Sequence, residues 1–303
     1  MKRRIGSLLK GCAALVAALG IAPQALAVDG VIEINHAAAV AGGITSADAP
    51  GYPVTLVAGA SYRLTSDLRT SDGDLTIIEG VVPTLIGFPK SNGAIHLDLN
   101  GFNVRCFVAP IAPIGANCNG SGIGIDFSAI TGAVIEDGTV RNMGSDGILV
   151  GTASRVENVT VLGNGDGGGG NRAGIRCTGS CEIKDSVASD NDVYGIMTGL
   201  NSAVVDSRVY GNGSSGIRLG SYSVARTNVV YNNGGAGILD SGYALILGNN
   251  VSQNSGFGVD SFVGARYVVG NNTFVGNNSS GAQFDTFATQ VELNNCQTNT
   301  ICP

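Results

Sequence analysis

The chain has 303 residues, of which 47 are glycine, 44% are apolar, only 13% are charged and none is tryptophan. That much apolar surface can bury a core, which excludes a disordered chain. Glycine at nearly one position in six costs about 1 kcal/mol at each helix-interior site, which excludes a helical protein, and the lack of a Gly-X-Y period excludes collagen. Turn-dense, all-β structure remains.

Residues 1–27 have the layout of a secretory signal peptide: Lys2, Arg3 and Arg4 form a basic head, Leu8 to Ala22 an apolar stretch, and Ala25-Leu26-Ala27 a small-residue cleavage site. Cleavage near Ala27 leaves residues 28–303 as a secreted or periplasmic protein, expected to be a monomer. Removing four basic side chains takes the formal charge from −6 to −10. An acidic surface repels phosphate backbones and anionic lipid, so nucleic acid and membranes are not expected partners. No later segment supplies the ~20 apolar residues of a membrane span. Six cysteines remain, an even number in an oxidising compartment, and six allow fifteen pairings. Proximity favours Cys106–Cys118, Cys177–Cys181 and Cys296–Cys302.

After the leader, Ile34 to Ala41 is the best helical candidate, ended by Gly42-Gly43. Val54 to Val57, Tyr62 to Leu64, Leu75 to Ile78 and Ile95 to Leu99 alternate or cluster as strands do. A proline-bearing insertion then runs from Phe102 to Ser121. From there a repeat takes over. Glycine followed by an aliphatic residue recurs at Gly124-Ile125, Gly147-Ile148, Gly174-Ile175, Gly195-Ile196, Gly216-Ile217, Gly237-Ile238 and Gly258-Val259, with a degenerate copy at Gly281-Ala282. Four residues before five of these glycines stand Asn191, Asn212, Asn233, Asn254 and Asn277. Seven before come Val140, Ala188, Val209, Val230, Val251 and Phe274, and twelve before come Ile135, Ile183, Val204, Ala225, Ile246 and Val269. A second insertion, Gly163 to Asn171, lengthens one repeat.

A period near 21 residues, holding short β-type runs separated by Asn, Ser and Gly, is one turn of a β-solenoid. Successive coils then pair as parallel strands ~4.8 Å apart, and Ser186, Ser207, Asn228, Asn249 and Asn272 form a polar ladder at a bend. The short helix would cover the open first coil. One domain is expected, with residues 28–90 as cap and irregular first coils, 91–285 as regular coils and 286–303 as C-terminal cap.

The pattern Ile246-x-x-Asn249-Asn250-Val251-x-x-Asn254-x-x-x-Gly258-Val259 and its neighbours resemble the right-handed parallel β-helix repeat of pectate-lyase-like proteins, over roughly residues 90 to 285. The resemblance implies that fold. It implies no single activity, because the family includes polyuronate lyases, polygalacturonases, alginate epimerases and sugar-binding proteins. Enzyme signatures of these relatives are missing: no histidine lies between Gly101 and Pro303, so there is no Gly-His-Gly, and no proline precedes a histidine, so there is no Asp-Pro-His. No Gly-x-Ser-x-Gly is present either.

Stacking makes residues one period apart into neighbours. Two positions after each repeat glycine, an outward column reads Asp126, Leu149, Arg176, Met197, Arg218, Leu239, Asp260. Arg176 and Arg218, two coils apart and so ~10 Å from each other, suit successive carboxylates of an acidic glycan, as a clamp or with one arginine as a base. Asp126 and Asp260 flank them as further ligand-binding candidates. A bend column reads Asp137, Asn158, Asp185, Asp206, Thr227. Asp185 and Asp206 are adjacent carboxylates that could serve a retaining glycosidase or help hold Ca²⁺, although no cofactor is expected and Asp and Asn at a bend more often satisfy backbone amides. Tyr210 and Tyr231, and Tyr222 and Tyr243, should stack; Tyr222 and Tyr243 are candidates for a sugar face. The expected function is binding of a polysaccharide or cell-surface glycan along one strand face, with a polyuronate lyase or epimerase and a structural or adhesive surface protein as alternatives.

Overall fold

A computed structural model describes residues 27–28, 30–72, 74–82, 84–85, 88–89, 93–107, 120–165, 170–262, 266–285 and 287–296. The segment expected to be a signal peptide, up to residue 26, most of the first insertion, and Cys118 and Cys302 lie outside these residues.

The chain winds as a parallel β-helix. Each regular coil carries three short strands, as in Ile217–Leu219, Val224–Arg226 and Val229–Tyr231. The strands that follow the repeat glycines stack into a nine-stranded parallel sheet, from Val54–Val57 to Val259–Ser261. We call this the glycine face. The other two faces merge into a 20-stranded sheet, because Val134–Arg141 and Arg155–Leu162 run unbroken through the bend between them. Registers match the repeat: Val209 pairs with Val230 and Val230 with Val251. Apart from Ala282 of the degenerate copy, every member of the three expected core columns is fully buried, from Ile125, Ile135 and Val140 to Val259, Val269 and Phe274.

The repeat glycine is needed for space. It points inward, and a Cβ on Gly216 would lie 2.6 Å from Asn233 Nδ2 and 2.7 Å from Val230 Cγ1, closer than real contacts allow. A glycine there lets the glycine face close onto the valine column. The degenerate copy is corrected by the structure. Val259 N donates to the carbonyl of Gln283, and Val259 pairs with Phe284, so Gln283 rather than Gly281 stands at the glycine position. Two extra residues between Asn277 and Gln283 account for the offset.

Each coil turns three corners, and most corners use the same two-residue device. One residue adopts the left-handed conformation, and the next points inward to hydrogen-bond to the neighbouring coil. At one corner the left-handed residues include Asp185, Asp206 and Thr227, and Ser186, Ser207, Asn228, Asn249 and Asn272 form the ladder. At the next they include Asp190, Gly211, Asn232 and Gln253, followed by Asn191, Asn212, Asn233 and Asn254, whose side-chain amides bond at 2.9 Å. At the third, Ala153, Ser180, Asn201, Tyr222 and Tyr243 are left-handed, and Ser202 and Ser223 continue the ladder. Full pairing is what makes these buried polar groups tolerable.

The N-terminal helix is present but shorter than expected, spanning His36–Ala41. Ile34 belongs instead to the strand Val31–Ile34, where it pairs with Leu64. Asn35 explains the boundary: its side chain caps the helix by accepting from Ala38 N, and Gly42, at φ 74°, ends it. The strand expected at Leu75 to Ile78 is observed at Ile78–Val81. At the other end the stack continues beyond residue 285, with Ala288–Gln290 and Asn295–Cys296 pairing onto Tyr267–Gly270 and Thr273–Val275. Cys177 and Cys181 form a disulfide. Cys106 and Cys296 are also disulfide-bonded.

Candidate functional site

The glycine face carries the outward column in the expected register: Asp126 beside Leu149, Leu149 beside Arg176, Arg176 beside Met197, Met197 beside Arg218, Arg218 beside Leu239 and Leu239 beside Asp260. The arginines are thus two strand spacings apart, roughly 10 Å. Their surroundings differ. The Arg218 guanidinium lies 5.4 Å from the ring centre of Tyr194 and 5.2 Å from that of Phe262, and its Nη1 donates to Asn171 Oδ1 at 2.8 Å. Two aromatic rings and an amide fix its position. Asn171 ends the second insertion, so that loop reaches this face.

Arg176 has a second task. Its Nη2 lies 2.5 Å from Oδ2 of Asp146, a residue with 0% exposure, and Asp146 Oδ1 accepts from Ala173 N at 2.7 Å. Burial pushes the Asp146 carboxyl up, and the Arg176 charge pulls it back down. The flanking acids also have local partners. Asp126 Oδ1 accepts from Ser128 N. Asp260 accepts from Ser261 N, whose N–H also reaches Asp285 Oδ2, and Ser261 Oγ donates to Asp285. Burial, then the Asp285 charge, raise the Asp260 carboxyl. Inside the same end, Asp240 is raised chiefly by burial.

Asp146, Asn171, Tyr194, Phe262 and Asp285 are absent from the sequence-derived site. Tyr194 carried a usable signal, since it immediately precedes a repeat glycine as Asp146 does. Asn171, Phe262 and Asp285 sit on insertions or irregular coils, where the period gives no register.

The bend column is occupied by structure. Lys184 Nζ lies 2.9 Å from Asp185 Oδ2, Thr227 Oγ1 donates to Asp206, and both aspartates hold left-handed corners. Among the described residues no cluster of three or more His, Cys, Asp or Glu side chains is arranged to hold a metal ion.

Both tyrosine ladders form. Tyr210 and Tyr231 stack at 4.9 Å, and Tyr222 and Tyr243 at 5.2 Å with planes 7° apart. Tyr222 and Tyr243 are 63% and 61% exposed and both have φ of 60°. Left-handed backbone costs a residue with a Cβ about 1–2 kcal/mol, and the stack returns about 0.5–1.5 kcal/mol. Beside Tyr222 lies an open groove of about 510 Å³, lined among others by Ala153, Arg155, Ser180, Glu182 and Asn201.

A family model described as "Right handed beta helix region" matches residues 146–298. No curated protein matches the chain. Among solved structures, the chain is similar to Geobacillus virus E2 ORF18, with a TM-score of 0.56 and 14% identity, over 88% of this chain and 54% of that one. The chain therefore spans about half the length of that protein. It is also similar to the A-module of the Azotobacter vinelandii mannuronan C-5 epimerase AlgE4, with a TM-score of 0.53 and 15% identity, over 88% of this chain and 84% of that module. At such identities the likeness carries the fold and nothing more.

Proposed function

Since the chain belongs to the right-handed β-helix family, a fold that serves many activities, its function must come from the site, and we propose that it binds an acidic glycan along the glycine face. The observation that carries this reading is Arg218, partly exposed and held by Tyr194, Phe262 and Asn171. A guanidinium fixed in this way loses little freedom on meeting a carboxylate, and the neighbouring rings offer flat surfaces to sugar. Arg176, two coils away, is already paired with Asp146, so Arg218 carries the charge offered to the ligand. A polyuronate is the ligand class we propose to test first, since the A-module named as a mannuronan C-5 epimerase shares this fold.

Binding is favoured over lyase chemistry because neither guanidinium stands free as a base: Arg176 is engaged by the buried Asp146 carboxylate, and Arg218 by Asn171 and two rings. We place the protein outside the cytoplasm on the leader-like pattern of residues 1–27, and no helix among the described residues is long and apolar enough to cross a membrane. The test is an array of acidic and neutral glycans, probed with wild type and Arg218→Ala, with ultraviolet detection of unsaturated uronates. Binding of a polyuronate that Arg218→Ala loses by about tenfold or more supports the proposal. Unsaturated products would replace it with a lyase, and equal binding by both proteins would overturn it.

A further inference from the structure

The corner that carries Tyr222 and Tyr243 departs from the rule followed elsewhere in the molecule. In the regular coils, left-handed positions are held by Gly, Asn, Asp, Gln, Ser, Thr or Ala, residues that are small or bond locally. Only here among the described residues does tyrosine, a bulky ring, take that conformation, and it does so twice in succession. Strain of this kind persists where something else selects the residue.

The groove shows what the rings face. Its lining comes from the coils of Val134, Arg155, Glu182, Ala203 and Val224, and these pair in that order. It therefore runs along the solenoid for four strand spacings, roughly 19 Å. The coil of Tyr243 does not line it. Tyr222 thus closes one end of the groove with one ring face, while Tyr243 stacks behind the other. At the three preceding corners the equivalent residues are Ala153, Ser180 and Asn201, which are short and leave the trough open. Its charges cancel, since Arg155 Nε donates to Glu182 Oε2 at 3.1 Å.

We propose that this groove is a second binding site, separate from the arginine face, and that it takes a short neutral oligosaccharide whose terminal ring stacks on Tyr222. A flat aromatic face backed by a second ring, beside exposed Ser180 and Asn201, matches a pyranose with one apolar face and a rim of hydroxyls. The internally paired charge gives an anionic ligand no net attraction. The site rests on its own observations and does not depend on the acidic-glycan reading.

The test titrates the secreted protein with maltohexaose, cellohexaose and mannohexaose, with hexagalacturonate as the charged comparison, by calorimetry. At least one neutral hexaose should bind with a Kd below about 1 mM. Tyr222→Asn, which installs a favoured left-handed residue and removes the ring, should weaken that binding about tenfold or more while the protein still folds. Tyr222→Phe should retain binding, and Arg218→Ala should leave it unchanged. Absence of any neutral binding up to about 10 mM, or wild-type binding by Tyr222→Asn, would overturn the site. So would displacement of the neutral sugar by hexagalacturonate, which would assign the groove to charged ligands.

Discussion

Replacing Arg176 with alanine tests the most consequential contact on the glycine face. Asp146 is fully buried and its Oδ2 faces Arg176 Nη2 at 2.5 Å. Truncating one member of a buried pair leaves the other charge uncompensated, at a cost of about 3–5 kcal/mol. Arg176 is itself about one-third exposed, so water entering the gap should hold the loss near the lower figure, about 3 kcal/mol. In a chain of this size that is a drop in Tm of roughly 6–12 °C near neutral pH. The pH dependence identifies the cause. Burial already raises the Asp146 carboxyl, and loss of Arg176 raises it further. A carboxyl raised in the folded state favours folding below its unfolded pKa of about 4, and that advantage is lost as pH rises through the folded value. Arg176→Ala should therefore recover most of its deficit on acidification towards about pH 4. Asp146→Asn in the same chain should restore stability at neutral pH, because the amide oxygen can still accept from Ala173 N. Thermal melts of wild type, both single variants and the double variant form the assay. An unchanged Tm for Arg176→Ala, or a double variant as unstable as the single, would refute the buried-pair account.

Val230→Asp should abolish folded secreted protein, since an unpartnered carboxylate in a fully buried column costs at least ~4 kcal/mol; a soluble variant with a wild-type melt would contradict the register. Gly216→Ala should destabilise by about 1–3 kcal/mol in chemical denaturation, because its Cβ meets Asn233 and Val230; no loss would mean that the glycine face can move outward. Asp240→Asn should melt above wild type near pH 8 and level with it near pH 4, because the raised Asp240 carboxyl contributes stability only while protonated; a lower Tm at both values would show that its charge is needed. Peptide mapping without reduction should join Cys106 to Cys118 and Cys296 to Cys302, alongside the observed Cys177–Cys181 bridge; any free thiol would count against it.

Columns were legible in the sequence because a solenoid converts a fixed sequence offset into a spatial contact. That is why the Arg176–Met197–Arg218 register, the Asn191 to Asn277 ladder and both tyrosine stacks could be read from spacing alone. Legibility failed where the period did. Asp146 meets Arg176 across the coil lengthened by the second insertion, and Phe262 reaches back two coils to Arg218. Asp285 was hidden by the two residues that displace Gln283 from the expected glycine position. The helix began late because Asn35 is a better cap than a helical residue, a local competition that apolar patterning does not show. Backbone handedness at Tyr222 and Tyr243 was also invisible, since the same spacing would suit aromatics on an ordinary strand.

The asparagine ladder has a direction. In every rung Nδ2 of one asparagine donates forward to Oδ1 of the next, from Asn164 through Asn191, Asn212, Asn233 and Asn254 to Asn277. A further coil could join only by presenting another acceptor to Asn277. Gln283 meets that demand instead: its Oε1 accepts from Asn277 Nδ2 at 2.8 Å, while its own Nε2 turns back to the carbonyls of Gly281 and Asn277. It is a chain terminator for side-chain hydrogen bonding, ending the series without leaving a donor pointed outward. An engineer wishing to lengthen this solenoid would have to replace that stop with another Asn-bearing coil, while growth by end-to-end docking of native molecules finds the amide series already closed.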